Sequence, residues 1–167
     1  LIFKDNSNFK LKGVFQIVAR NVKTNERKIL EEENVVVSQA RKFIRDLMVE
    51  NGKVITNIQI GDMNKDLSDD VSNLGDPSYS DTKLENKFFN KDYTSREAIT
   101  YEDRPAIKYE FVINEDEAND DDNDDHHRKM WCEYALANED GDIWNRKIKP
   151  IIKDDETEIT IYWIFIL

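Results

Sequence analysis

Thr157-Glu158-Ile159-Thr160-Ile161-Tyr162-Trp163-Ile164-Phe165-Ile166-Leu167, the last eleven residues, decide the fold class. Ile159, Ile161, Trp163, Phe165 and Leu167 recur at every second position, which is the period of a strand. Tyr162, Ile164 and Ile166 fill the alternate positions, so both faces are apolar. A strand of that kind is buried on both sides. It is a central strand or one covered by a partner subunit.

The same period runs back through the chain. Ile107, Tyr109, Phe111 and Ile113 alternate after Pro105, and Met130, Cys132, Tyr134 and Leu136 alternate ahead of Asp140-Gly141. Asp-Gly is a favoured two-residue hairpin turn, so Ile143 to Lys149 is expected to return antiparallel. Near the start, Leu11, Phe15, Ile17 and Ala19 share a face. A turn around Thr24-Asn25 leads to a second segment ending in Val35-Val36-Val37, and the two are expected to pair as a hairpin. Val54, Thr56, Ile58 and Ile60 line a further strand that ends at Gly61. One helix stands out: Ala40, Phe43, Ile44, Leu47 and Met48 form a single apolar stripe. Ser38 is placed to cap it and Gly52 to end it in a left-handed conformation, so a helix is expected over Ser38–Glu50. With about eight strands and no βαβ rhythm, the chain reads as mainly β, an antiparallel β-sandwich with one α-helix. All 167 residues form one domain with two polar excursions, a loop over 62–80 and an acidic loop over 115–129.

Composition restricts function. The formal charge is -11, and eight of the acidic residues, with no basic ones, fall between Glu115 and Asp125; without them the remainder carries about -3. A field of that sign disfavours phosphate backbones and anionic membrane surfaces. No apolar run is long enough to span a bilayer, and Leu1-Ile2-Phe3 followed by Lys4-Asp5 does not read as a signal peptide. Cys132 is the only cysteine, so an internal disulfide is not expected. A soluble cytoplasmic product of the host cell fits these features.

Candidate chemistry reads as weak. The acidic loop lacks the glycine and the distal glutamate of a calcium loop, and a solvated charge run is the simpler reading. His126-His127 are the only histidines, too few for a structural zinc site with Cys132. Cys132 lies in an apolar alternation and reads as core filler. No nucleophile elbow, phosphate-binding glycine loop or dinucleotide fingerprint occurs. No catalytic, cofactor-binding or metal residue is therefore assigned. Trp131, Trp144 and Trp163 could stack on a sugar, but their strand positions favour packing. A mechanical pair does emerge: a turn at Asp140-Gly141 sets Ala135 opposite Arg146, with Glu133 a diagonal neighbour. A Glu133–Arg146 salt bridge flanked by Trp131 and Trp144 is expected to fix the hairpin's register.

Three stretches carry a resemblance. They are Asn34-Val35-Val36-Val37-Ser38 with Phe43-Ile44 and Leu47; Ile55 to Gly61 followed by Asp81-Thr82-Lys83-Leu84-Glu85-Asn86-Lys87; and Trp131 to Leu136, Asp140-Gly141-Asp142-Ile143-Trp144-Asn145-Arg146 and Thr157 to Phe165. In this order they resemble a family of tailed-bacteriophage virion structural proteins over most of the chain. Gly61-Asp62-Met63-Asn64 stands where that family has a Gly-Thr-Gly turn, and the acidic loop replaces a short link. The resemblance implies a β-rich, non-enzymatic component of a tail, baseplate, fibre-attachment or neck region. It would act as a homo-oligomer bound to other virion proteins, without direct nucleic-acid or membrane contact. Glu133, Arg146, Gly141, Gly61 and Trp163 are its candidate structural residues. The rival readings are a module binding host-surface carbohydrate and a cell-envelope hydrolase, which would need paired carboxylates in a cleft.

Overall fold

A computed structural model describes residues 11–48, 52–120 and 126–167. Among these are nine strands and one helix. The strands are β1 (Lys12–Asn21), β2 (Arg27–Val36), β3 (Asn57–Gly61), β4 (Lys87–Asp92), β5 (Ser95–Tyr101), β6 (Arg104–Ile113), β7 (Lys129–Ala137), β8 (Ile143–Lys153) and β9 (Thr157–Ile166). Helix α1 is Gln39–Met48. Every pairing is antiparallel, in the order β4-β3-β7-β8-β2-β1-β9-β6-β5. The protein is mainly β, as its alternating pattern indicates.

The sheet curls until its two ends meet. β4 and β5 are the outermost strands of the order, yet only Tyr93 and Thr94 separate them in sequence. At that corner Tyr93 N–H donates to Thr56 O beside β3, and Thr94 N–H donates to Glu110 O on β6. β2 turns the opposite corner: Gly13↔Asn34 through Arg20↔Arg27 pair it with β1, while only Val35 and Val36 pair it with β8. Two layers result, β2-β1-β9-β6-β5 facing β4-β3-β7-β8. Sequence reading named neither β4 nor β5. Their charged residues blur the alternation, and neither strand contains a fully buried residue.

Between the layers lies the main core. Phe15 and Ile17 from β1, Tyr109, Phe111 and Ile113 from β6, and Ile159, Ile161, Trp163 and Phe165 from β9 meet Ile58, Ile60, Trp131, Tyr134 and Leu136 from the other layer. Phe15 bridges them, its ring 4.8 Å from Trp163 and 4.9 Å from Tyr134. Trp163 is fully buried. β9 pairs along both edges, with β1 and with β6, so the C-terminal stretch is a central strand.

Several boundaries differ from expectation. β3 starts at Asn57, leaving Val54 exposed and placing Ile55, not Val54, in the core. α1 starts at Gln39 and is described to Met48; Glu50 lies outside the described residues. Its stripe packs as expected, with Ala40 buried and Phe43, Ile44 and Leu47 against the core. Gly52 is needed because a Cβ there would collide with the Leu47 backbone.

The β7–β8 connection is a three-residue loop, not the two-residue turn centred on Asp140-Gly141. Gly141 N–H donates to Asn138 O (3.0 Å), Asn138 N–H donates to Asp142 O (3.1 Å), and Gly141 has φ +87°. This is a type I turn closed by a left-handed glycine bulge. A second irregularity follows at Leu136/Ala137, where Trp144 is the extra residue opposite them. Beyond it the expected register holds, with Ala135 opposite Arg146, until another bulge falls between Trp131 and Glu133.

Candidate functional site

Bulges reverse which face a side chain occupies, and they separate the tryptophans from the ion pair they were expected to flank. Trp131 and Trp144 belong to the main core. Ala135 and Ala137, in alternation with Glu133, form a second cluster with Val37, Leu84 and Ile143. Glu133 therefore sits on the outer face of β7, beneath the connection 62–86 that supplies Leu84. The buried tryptophans are also removed as a sugar-stacking platform.

Glu133 is fully buried at the centre of a clamp. Its Oε2 accepts from Arg146 Nη2 at 2.6 Å and from Glu85 N at 3.1 Å, and its Oε1 accepts from Asn86 N at 2.9 Å. Arg146 Nη1 donates to Asp81 Oδ2 at 2.8 Å. One guanidinium thus joins a buried carboxylate on the sheet to a carboxylate on the loop. Burial works against the Arg146 charge, but the hydrogen bonds it donates to Asp81 and Glu133, and their negative charges, outweigh it and raise its pKa. Asp81 Oδ2 also accepts from Ser78 N at 2.8 Å, closing the loop on itself.

Gly61 is the space that the clamp occupies. It pairs with Glu133 across β3–β7. A Cβ there would lie 2.5 Å from Glu133 Oε1 and 2.6 Å from Asn86 O. Next to it, Asp62 accepts from Asn64 N (2.9 Å), Asn86 Nδ2 (2.6 Å) and Lys129 Nζ (2.9 Å). Burial opposes the Asp62 charge, yet these donors together hold its carboxyl below the usual range. Of the five residues read as structural, Gly61, Glu133 and Arg146 come together here. Gly141 makes the turn and Trp163 fills the core. Asp81, Asp62, Lys129, Glu85 and Asn86 were not anticipated as their partners. Asp81 is 65 residues from Arg146 in sequence, too far for strand periodicity to connect them.

The second excursion has its own anchor. Lys153 is fully buried, and its Nζ donates to Glu115 O (2.8 Å), Asn119 Oδ1 (2.9 Å) and Asp154 O (2.7 Å). Three donors meet three acceptors. Burial pulls its pKa down to about 8, against the opposing field of Asp154, Glu115, Asp116 and Asp155. Trp131 Nε1 donates to Ala118 O at 3.0 Å, and Lys91 pairs with Glu117. The root of the acidic loop is thus fastened to the sheet. Residues 121–125, the densest part of the charge run and of the calcium reading, lie outside the described residues.

Reactive chemistry finds little footing at these positions. Burial raises the Cys132 thiol to about 11, so it stays protonated at neutral pH, as core filler does. His126, Asp155 and Glu156 bring potential ligand atoms within 4.8 Å of one another. Glu156 Oε1, however, already takes Lys23 Nζ at 2.6 Å. Lys23 already supplies a positive charge beside that carboxylate. Comparison with known proteins matched the chain to no family model, no curated protein and no solved structure.

Proposed function

We propose that this protein is a non-enzymatic structural component of a tailed-phage virion, in a tail, baseplate, fibre-attachment or neck region. It acts through protein–protein contacts in a symmetric assembly. One observation carries the reading: the buried charges fasten two long polar loops onto a rigid β body. Glu133, Arg146 and Asp81 hold 62–86, and Lys153 holds the root of the acidic loop. The 62–86 loop and the root of the acidic loop, fixed in this way, present the same surface in every copy, which repeated contacts around a symmetry axis require. The order of the three sequence stretches that resemble virion proteins supports the same reading.

The test is biochemical. Particles of the virus encoding this chain are banded, washed in high salt, and their proteins quantified by peptide mass spectrometry. A fixed stoichiometry to the major structural proteins is expected. Absence from washed particles, with the chain recovered only in the soluble lysate, would overturn the proposal.

A further inference from the structure

The seam between β2 and β8 opens along its length. Val35 and Val36 pair with β8 through the backbone, as the corner requires. Further along, side chains replace the ladder: Glu32 takes Lys147 and Lys149, both at 2.6 Å, and Lys147 Nζ also donates to Glu33 O at 2.9 Å. Beyond Glu32 the strands part around a cleft of about 630 Å³, walled by Leu30, Ile151, Pro150 and Val71. Ile29 and Ile152 stand at its mouth, 67% and 52% exposed.

We infer that this cleft receives an extended segment of a neighbouring chain, added as a strand to β2, with apolar residues alternating with acidic ones. The partner belongs to the assembly role proposed above, and three features define it. First, Arg27 to Glu31 of β2 pair with β1 on one side and have no link to β8 on the other, since the bridges to Lys147 and Lys149 begin at Glu32. A strand edge of that length is a template for another strand. The facing edge of β8 contains Pro150, which has no N–H to offer, so β2 is the edge that accepts. Second, Leu30, Ile151 and Ile159 line the cleft. Alternate side chains of an added strand would fill it, and its volume is that of a well-formed ligand site, about 300–1,000 Å³. Third, the ionisable residues lining it are Lys28 and Lys149, and because Glu32 already takes Lys149, Lys28 is the charge that an occupant meets. In a chain of net charge -11, a basic cleft selects acidic residues on its occupant.

The full isotope-labelled chain is titrated with a capped eight-residue peptide of alternating valine and glutamate. An alternating valine–lysine peptide and a backbone N-methylated valine–glutamate peptide are run beside it. The valine–glutamate peptide is expected to shift the Ile29 and Ile152 methyl signals and to slow amide exchange within β2. K28E, at an exposed position that leaves the fold intact, is expected to weaken it about tenfold. The other two peptides are expected to bind at least about tenfold more weakly. No binding, equal binding of the three peptides, or shifts confined to another surface would overturn the inference. Loss of cleft binding in a chain that does co-purify with particles removes this site alone. Cleft binding by a chain absent from particles removes the virion reading alone.

Discussion

Replacing Arg146 by Met removes one member of a buried network while keeping its length. Glu133 is then left fully buried with two backbone amides as donors, and Asp81 loses its cationic partner and keeps only the Ser78 amide. Hydrogen bonds to charged groups contribute about 1.5–3 kcal/mol each, so the two lost bonds, at 2.6 and 2.8 Å, suggest about 3–6 kcal/mol. The Asp81 carboxylate keeps 18% of its side-chain surface in solvent, and that end must be discounted for screening. A loss of about 3–4 kcal/mol remains, in line with the cost of orphaning one half of a buried ion pair. Total stability of a domain is about 5–15 kcal/mol, so R146M is expected to fold but with a sharply reduced margin. Urea unfolding followed by tryptophan fluorescence reads this directly, because Trp131, Trp144 and Trp163 are all core residues. D81N, which leaves the Glu133–Arg146 contact in place, is expected to cost about 1 kcal/mol. A loss below about 1 kcal/mol for R146M with an unchanged denaturant slope would refute the clamp as a source of stability.

Other consequences follow from particular contacts. Gly61→Ala forces a Cβ against Glu133 and Asn86; it should cost about 2 kcal/mol or more and combine non-additively with R146M in a double-mutant cycle, because both act on one network. Gly141→Ala and Gly75→Ala meet different space, a contact at 3.4 Å in one case and nothing in the other, but share a positive φ. Both should therefore cost about 1 kcal/mol by thermal unfolding, through backbone strain alone. Lys153 binds its proton less tightly when folded, with a pKa of about 8 against an ordinary 10.5. Between those values the unfolded chain holds more protons, so the Lys153 contribution to stability rises with pH, approaching about 3 kcal/mol at the upper end. The stability difference between wild type and K153M, measured from pH 7 to 10, should show that upward slope. A flat or falling difference would mean that the ammonium is not destabilised by its burial.

The strands that build the core were legible because each repeats an apolar residue at every second position without interruption: β9, β6, β1 and the middle of β7. The helix was legible from its stripe. What periodicity could not convey were its own breaks. Trp131 and Trp144 read as neighbours of Glu133 only if the hairpin is regular, and bulges on both sides of the Glu133–Arg146 pair send them to the opposite face. The Glu133–Arg146 contact survived because Ala135 still faces Arg146, even though the turn that sets this register is one residue longer than expected. Asp81, Asp62 and Lys129 were invisible for another reason. They act across the fold, joining a loop to a sheet over separations that no local pattern encodes. Lys153 lies beyond the return strand expected over Ile143 to Lys149, and nothing local marks it as buried. Its burial comes from the acidic loop folding back over it, which depends on tertiary structure.

Direct imaging of assembled particles, at a resolution that traces strands, tests the assembly role most immediately. The nine-stranded curled body should fit density at a repeated position around one axis, with the 62–86 loop or the β2–β8 cleft against a neighbouring subunit. Particles whose density is fully accounted for by other chains, with no place for this body, would contradict it.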